Sequence, residues 1–513
     1  GVYYHVSYLG TPLSYLWVAS TPLGLIYEEM SKAYNAGSDD CWILNVGDLK
    51  PAEIPMTFLL GMAWDHDRYD DTTIPDFLKD FLTASFPLSE ADAEAVAAAL
   101  QDYYAVCFAK KPEYFGKSLG SNYNLVQYGD EGERQIAKLS AACARSQEVY
   151  ENLPAAYRDA YFQLVQYMLQ AARDTLQKHI YQQKNQLYMG QGRFASVNAY
   201  AKAAEDAYDR ILADLKYYNK SMSGGRFDGI LDPYTSIRSI PTISGAPEVT
   251  YLSENVAVEG VGSVCEGQTT GGESVTLRFH SLTDDRRFLD IFNTGLSANT
   301  YTISCDPCIR LTAPDGSLLS GEERDGRVVY TGTVEVEARL TVSIDWSGAE
   351  TGTTDASITV SDAFGKAKVY PVEITKTSLD PAAEAAAGHK GYYEVNGVVA
   401  IEAEHYSANV SADGQYWAPV EGLGRTGSAV MKNYPDLSAD GGTVTSDYAE
   451  KSPYLEYEVY FETTGSYTVS FYRLPTLNEG RNKTNRTAFQ LDDGAYHLFR
   501  GNSRVDSEYS NET

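Results

Sequence analysis

Hydrophobic and polar positions follow different periods in different parts of the chain. The apolar run Trp42–Gly47 is typical of a buried strand, and a helical pattern over Pro22–Tyr34 precedes it. Beyond Pro87 the apolar positions recur every three or four residues, and beyond Pro241 they alternate with polar ones. The sequence therefore predicts an α/β segment, then a helical segment, then β segments.

The helical segment opens with Ser89, whose hydroxyl is suited to cap a helix rich in Ala and Glu. Two apolar stripes follow at helical spacing, and two or more such helices predict a bundle. The first stripe contains Tyr157, Tyr161, Leu164, Val165, Met168, Ala172, Leu176 and Ile180, and the second Tyr200, Ala204, Ile211, Leu212, Leu215 and Tyr218.

Four stretches of period two predict the strands of a β-sandwich: VTLRF, RFLDIFN, RLTVSIDW and KAKVYPVEI. The small and flexible residues of Ser378–Lys390 predict a linker. VVAIEAEHY, YLEYEVYF and SYTVSFYRL then predict the strands of a further β domain. We expect a multidomain chain of α/β, α and β parts, with boundaries at 1–85, 86–240, 241–380 and 388–513.

The charge balance excludes two classes of partner. The 513 residues include 41 Lys and Arg against 70 Asp and Glu, which gives a net charge of −29. Binding to nucleic acid or to an anionic membrane relies on Lys and Arg, so neither is expected as a partner. No run of eighteen uncharged apolar residues is present, so no segment is predicted to span a bilayer.

The six cysteines are few for this length, and only Cys305 and Cys308 are spaced as a CxxC pair. A zinc site needs a second pair or nearby histidines, which this region lacks. We therefore expect no metal site, and interpret the pair as a turn with two thiols or as a local disulfide.

The strongest candidate chemistry lies in NVGDLKPAEIP, directly after the predicted strand. Asn45, Asp48, Lys50 and Glu53 occur within nine residues, and acids with a lysine supply general acid–base chemistry and a cation for a carboxylate. We take Glu53 and Asp48 as candidate catalytic residues, and Asn45 and Lys50 as candidate substrate-binding residues. The alternative is a solvated loop in which Lys50 simply pairs with Glu53.

Two further clusters are candidates for substrate binding. Tyr4, His5 and Tyr8 lie near the end of an earlier predicted strand, where a hydrogen-bonded core histidine is the alternative. Trp64 and Asp65 in AWDHDRYD are suited to stacking on a sugar ring and binding its hydroxyls. An exposed helix end with mixed charges is the alternative there.

GVYYHVSYLGTPLSYLWV and YEEMSKAYNAGSDDCWILNVGDLKPAEIPMTFLLGMAWD resemble glycoside hydrolase family 115, the xylan α-glucuronidases. The resemblance continues through KPEYF, LPAAYRDAYFQLVQY, GQGRFASVNAYA and RLTVSIDW. It extends into VVAIEAEHYSANV, YLEYEVYF, YRLPTLN and AFQLDDG. It implies that residues 1–85 form the C-terminal half of a catalytic (β/α) barrel, followed by a helical bundle, a β-sandwich and an incomplete C-terminal β domain.

The resemblance also implies an activity. Such enzymes remove glucuronic or 4-O-methylglucuronic acid, α-1,2-linked to xylan, by inverting hydrolysis between two carboxyl groups. Glu53 matches the Glu of the family's KPxE motif, and the partner acid is expected upstream of residue 1, so this chain alone is expected to be inactive. The expected substrate is glucuronoxylan or its aldouronic oligosaccharides, met outside the cell or in the periplasm. No cofactor is implied, and a homodimer is left open.

Two departures from the family pattern bear on the site. RFDGILDPYTSIRSIP, from Arg226, stands where a lysine–tryptophan pair and a His-Ile-Gly-Tyr segment are expected, and Ser7 stands where relatives carry Asp. A non-catalytic carbohydrate-binding or surface-adhesion protein is the main alternative, because it accounts for the β segments, the 40 tyrosines and the acidity. For residues 241–513 a structural scaffold without a ligand is a third alternative.

Overall fold

The computed structural model describes residues 1–7, 17–46, 49–70, 72–115, 123–231, 245–283, 285–388, 391–424, 426, 428–436, 448–474 and 486–500. The α-helices are α1 (Leu23–Asn35), α2 (Glu53–Trp64), α3 (Ile74–Ser85), α4 (Glu90–Ala109), α5 (Glu131–Asn152), α6 (Ala155–Tyr161), α7 (Tyr167–Gln191), α8 (Phe194–Lys216), α9 (Pro381–Ala386) and α10 (Tyr448–Lys451). Two π-helical segments follow α6 and α8, at Phe162–Gln166 and Tyr217–Ser221.

The strands fall into an N-terminal pair, a central group and a C-terminal group. They are β1 (Val2–His5), β2 (Trp42–Asn45), β3 (Val261–Cys265), β4 (Leu277–His280), β5 (Arg287–Asn293), β6 (Asn299–Cys305), β7 (Ile309–Thr312), β8 (Glu322–Arg324), β9 (Arg327–Val334), β10 (Glu337–Ile344), β11 (Gly352–Asp362), β12 (Ala367–Lys376), β13 (Gly391–Tyr393), β14 (Ala408–Val410), β15 (Tyr416–Glu421), β16 (Ala429–Tyr434), β17 (Tyr454–Glu456), β18 (Glu458–Tyr460), β19 (Arg486–Phe489) and β20 (His497–Arg500).

β1 and β2 form a parallel pair, with His5 opposite Asn45 at its carboxyl end. The predicted buried strand is thus observed, and α1 connects the two strands as expected for a βαβ pattern. Apolar residues of α1 to α3 share one core with the helices that follow them. The N-terminal α/β part and the helical part are therefore packed against each other rather than separated by solvent.

The helical part begins as the sequence predicts, because Ser89 Oγ accepts a hydrogen bond from the amide of Asp92 (3.1 Å) and caps α4. The first predicted stripe differs in one respect. It is divided by the π-helical segment Phe162–Gln166, and Tyr157 lies 40% exposed outside the core. The other members of the stripe, from Tyr161 to Ile180, belong to one hydrophobic core or pack against it, as predicted.

The central strands form two sheets with a common hydrophobic core. One sheet has the order β3–β5–β10–β7 and the other β4–β12–β11–β6–β9–β8. Pairing is antiparallel throughout except between β4 and β12. Cys305 and Cys308 are two free thiols at the turn before β7, and burial raises the pKa of Cys305 to about 12. The structure therefore agrees with the interpretation of this pair as a turn with two thiols, and not with a local disulfide.

The C-terminal part contains short two-stranded ladders, and here several predicted elements differ from the structure. SYTVSFYRL has no regular secondary structure and is exposed except at Leu474, which packs on the N-terminal core. VVAIEAEHY contributes only Val398, in an isolated bridge with Val395. A strand needs a hydrogen-bonded neighbour, which alternation alone does not supply. The predicted linker contains α9, whose first turn is capped by Asp380.

The C-terminal part packs on the N-terminal part through β15 and α1. Val420 and Leu423 belong to the N-terminal core. A Cβ atom at Gly24 would lie 2.9 Å from the carbonyl oxygen of Glu421, so this close approach requires glycine. The chain is thus a multidomain protein of mixed helical and sheet structure. No helix in its described ranges has the length and apolar character of a membrane-spanning segment.

Candidate active site

Lys50 and Glu53 form the centre of the candidate site. Glu53 is the first residue of α2, where the helix dipole favours a carboxylate, and Lys50 lies just before the helix. The Lys50 ammonium donates a hydrogen bond to Glu53 Oε1, with both side chains about three-quarters buried (29% and 21% exposed). Lys50 and Glu53 thus pair with each other, as the alternative interpretation expected, but the pair is largely shielded from solvent.

Gln163 completes the cluster from the helical part. Its Oε1 accepts a hydrogen bond from Lys50 Nζ (3.0 Å), and its Nε2 donates one to Glu53 Oε1 (2.9 Å). Gln163 is 5% exposed and lies in the π-helical segment Phe162–Gln166. One carboxylate oxygen of Glu53 is therefore held twice, while Oε2 is buried without a hydrogen-bond partner among the described residues.

Two aromatic residues enclose this cluster. The ring centroid of Phe227 lies 5.3 Å from Lys50 Nζ, within the range of a cation–π contact. Phe227 belongs to the segment that departs from the family pattern. Burial, reinforced by the charge of Glu53, raises the pKa of Tyr218 well above its usual range, so this phenol stays neutral. The site thus combines a carboxylate, an ammonium and apolar walls, which suits proton transfer from a bound water and binding of an anionic group.

Tyr4, His5 and Asn45 lie at the end of the β1–β2 pair, where the consecutive side chains of Tyr4 and His5 point to opposite faces. Burial lowers the pKa of His5, and the His5 and Tyr3 rings pack perpendicular to each other with centroids 4.7 Å apart. Burial, reinforced by nearby glutamates, raises the pKa of Tyr4. Two other predicted site residues, Tyr8 and Asp48, lie outside the described residues.

Trp64 and Asp65 lie at the end of α2. The side chain of Trp64 is 92% exposed, and Asp65 is exposed as the residue that ends the helix. The neighbouring His66 stacks on Tyr34 (centroids 4.0 Å apart) and contacts Ser31 Oγ at 3.1 Å. Trp64 and Asp65 thus form an exposed helix end, which was the alternative to a sugar-binding site for AWDHDRYD. The structure does not bring Trp64 to the Lys50–Glu53 cluster, and an open aromatic face remains available to a polysaccharide.

A second charged cluster was missed by the sequence reasoning. Its members connect α1 to β16, and they are Glu28, Glu29, Lys32, Lys432 and Asp436. Lys32 pairs with both glutamates at 3.2 Å, and Lys432 lies 3.5 Å from Glu28 and 2.8 Å from Asp436. Burial and the adjacent Glu28 raise the pKa of Glu29 to about 7. The spacing of Lys32 from the glutamates was visible in the sequence, but Lys432 and Asp436, which complete the cluster, are about 400 residues away.

Models of one protein family match both ends of the chain. Residues 1–114 match the model of glycosyl hydrolase family 115, and residues 391–512 match the model of the C-terminal domain of the same family. The predicted resemblance to glycoside hydrolase family 115 is therefore confirmed at both ends of the chain. Lys50 and Glu53 lie within the first matched segment. No curated protein sequence matches this chain.

Among solved structures, the chain is similar to the family 115 4-O-methyl-α-glucuronidase BtGH115A, described with specificity for decorated arabinogalactans. The identity is 22% and the TM-score 0.42, over 67% of this chain and 49% of that enzyme. The chain thus spans about half the length of that relative. A family 123 glycoside hydrolase from Clostridium perfringens matches with 12% identity and a TM-score of 0.16, over 23% of this chain and 28% of its own.

Proposed function

We propose that this family 115 protein is an inverting α-glucuronidase that removes glucuronic or 4-O-methylglucuronic acid, α-1,2-linked to xylose, from glucuronoxylan or its oligosaccharides. The observation that carries the proposal is the state of Glu53. One oxygen is held by Lys50 and Gln163, and the other is buried without a partner among the described residues. A carboxylate held in this way is positioned to act on a reacting water or glycosidic oxygen.

Inverting hydrolysis needs two carboxyl groups about 6.5 to 9.5 Å apart. One accepts a proton from the attacking water while the other donates a proton to the departing xylose oxygen, and the C1–O bond breaks. Glu53 supplies one of the two groups. We propose that the other group comes from another part of the proposed (β/α) barrel, and that β3–β12 form its accompanying β-sandwich.

Lys50 is proposed to bind the uronic acid carboxylate. An ammonium has three donors, and the described contacts of Lys50 use two of them, toward Glu53 and Gln163. A third donor pointing at a substrate carboxylate forms a charge-assisted hydrogen bond. His5, opposite Asn45 at the carboxyl end of β1, is proposed to hold a sugar hydroxyl. A polymeric substrate favours an extracellular or periplasmic enzyme, which cell fractionation with an antibody tests.

The experiment compares wild type with Glu53→Gln and Lys50→Ala. Both this chain and the protein from the complete reading frame are assayed for glucuronic acid release from aldouronic oligosaccharides and from decorated arabinogalactan. Glu53→Gln is expected to lower kcat by about 10² or more with folding intact, because it removes a proton-transfer group. Lys50→Ala is expected mainly to raise KM. Proton NMR of the first product reports its anomeric form, which is inverted if the proposal holds.

The outcome also separates the alternatives. A Glu53→Gln variant that keeps more than about a tenth of wild-type kcat contradicts the assignment of Glu53. Binding of the oligosaccharides by calorimetry without any release, in the protein from the complete reading frame, favours the carbohydrate-binding alternative instead. Trp64→Ala changes the other end of α2 and leaves Glu53 in place. It tests whether the exposed ring adds affinity for the polymer without affecting hydrolysis of the oligosaccharides.

A further inference from the structure

We propose that Gln163 is a positioning residue for the reaction, acting through Glu53 and Lys50. The inference deepens the proposed function and rests on it. Gln163 comes from the helical part, 110 positions after Glu53, and its one amide group contacts both charged members of the site. The site is therefore assembled across two structural parts rather than within the NVGDLKPAEIP segment alone.

The chemistry of an amide explains why glutamine suits this position. Its carbonyl oxygen accepts from a cation and its NH₂ group donates to an anion, so one neutral side chain satisfies both partners. A glutamate at 163 would repel Glu53, and an apolar residue would leave two buried polar groups without this partner. Because Gln163 carries no charge, it orients the Lys50–Glu53 pair without adding to the net charge of the site.

Burial gives this orientation its precision. A lysine–glutamate pair three residues apart on a surface helix samples several rotamers and is weak. Here Gln163 is 5% exposed and fixed by the core around Phe162 and Val165, which are buried in the same π-helical segment. The π-helical segment places Gln163 toward α2, since it changes the face that successive residues present. Two hydrogen bonds of 3.0 and 2.9 Å then fix which oxygen of Glu53 is occupied.

The matched control lies in the same segment. Gln166 is also buried, and its amide donates to Gln147 rather than to the site. Gln163→Met and Gln166→Met remove the same amide from neighbouring positions of one π-helical segment. Only the first is expected to change the reaction. Gln163→Asn is the conservative variant, because its amide is one methylene too short to reach both partners.

The experiment is a double-mutant cycle in the protein from the complete reading frame. Gln163→Met is expected to lower kcat about ten- to a hundredfold, as small displacements of reacting groups do. In the Glu53→Gln background the same change is expected to cost nothing further, because Gln163 acts through Glu53. A merely structural role would lower kcat equally in both backgrounds. Gln163→Asn should fall between wild type and Gln163→Met.

A second readout does not depend on activity. Crystal structures of this chain as wild type and as Gln163→Met compare the Glu53 side chain, which is expected to change rotamer or to occupy two positions in the variant. The proposal is overturned if Glu53 is unmoved, or if the kcat loss is below about threefold or equals that of Gln166→Met. If wild type releases no glucuronic acid, the proposed function fails. The rotamer comparison then still decides whether Gln163 holds Glu53.

Discussion

Asp290 is the point at which a single substitution should most weaken the junction between the helical part and the sheets. Its side chain is buried on β5 and accepts hydrogen bonds from Arg339 (2.7 and 2.9 Å) and Arg193 (2.8 Å). Arg193 comes from the turn before α8 and is 1% exposed. Arg339 also contacts Asp130 at 2.8 Å, so the network crosses from sheet to helices twice.

Asp290→Asn removes the negative charge while keeping the shape of the side chain. Breaking one partner of a buried ion pair typically costs about 3 to 5 kcal/mol, because the remaining charge is left uncompensated. Arg193 retains Glu337 at 3.1 Å and Arg339 retains Asp130, so the lower end of that range, about 3 kcal/mol, is expected. The matched control is Glu373→Gln, which removes the exposed ion pair with Arg278 and should cost about 0 to 1 kcal/mol.

Hydrogen exchange followed by mass spectrometry measures this effect locally, which matters in a chain of several domains. Peptides from β5 and α8 should lose protection equivalent to about 3 kcal/mol in Asp290→Asn and almost none in the control. Burial alone would raise the pKa of Asp290, but Arg339 and Arg193 outweigh it and hold the pKa well below its usual range. The stabilisation is thus present above about pH 4 and lost on acidification, so the difference between variants should shrink at low pH. A loss equal to the control at pH 7 would refute the reasoning.

Two further predictions concern other parts of the chain. Glu29→Gln should flatten the pH dependence of stability: the pKa of Glu29 is raised from 4.5 to about 7, so its stabilisation is complete below pH 4.5 and is lost as the pH rises through 7. Thermal melts at pH 5 and pH 8 measure the change in melting temperature between the two pH values, with the exposed Glu323→Gln as the control. The prediction is contradicted if this change is the same in Glu29→Gln as in wild type. Gly262→Ala should destabilise the sheets by about 1 to 3 kcal/mol, because the new Cβ would lie 2.2 Å from the Phe292 ring. Gly272→Ala, which meets nothing within 4 Å, should be nearly neutral in the same melts.

Local patterns predicted the local structure of this chain well. The buried strand at β2, the Ser89 cap of α4 and the alternating strands β5, β10 and β12 depend on neighbouring residues, which the sequence displays directly. The strand predicted for SYTVSFYRL is absent, because alternation indicates that a segment can form a strand but not that a neighbouring strand is present to pair with it. The π-helical segment Phe162–Gln166 within the first helical stripe was not predicted, since a π turn leaves no distinct composition in the sequence.

The candidate site shows the same limit more sharply. The Lys50–Glu53 pair was predictable as an alternative because the two residues are three positions apart at a helix start. Gln163 was not, since its contact depends on how α6 and α7 pack against α2, and nothing near Gln163 in the sequence marks a polar function. Gln163 also lies outside both segments that match the family models, residues 1–114 and 391–512. A motif therefore points to Glu53 as the candidate acid, whereas Gln163, its proposed positioning residue, comes from a region recognisable only after the chain has folded.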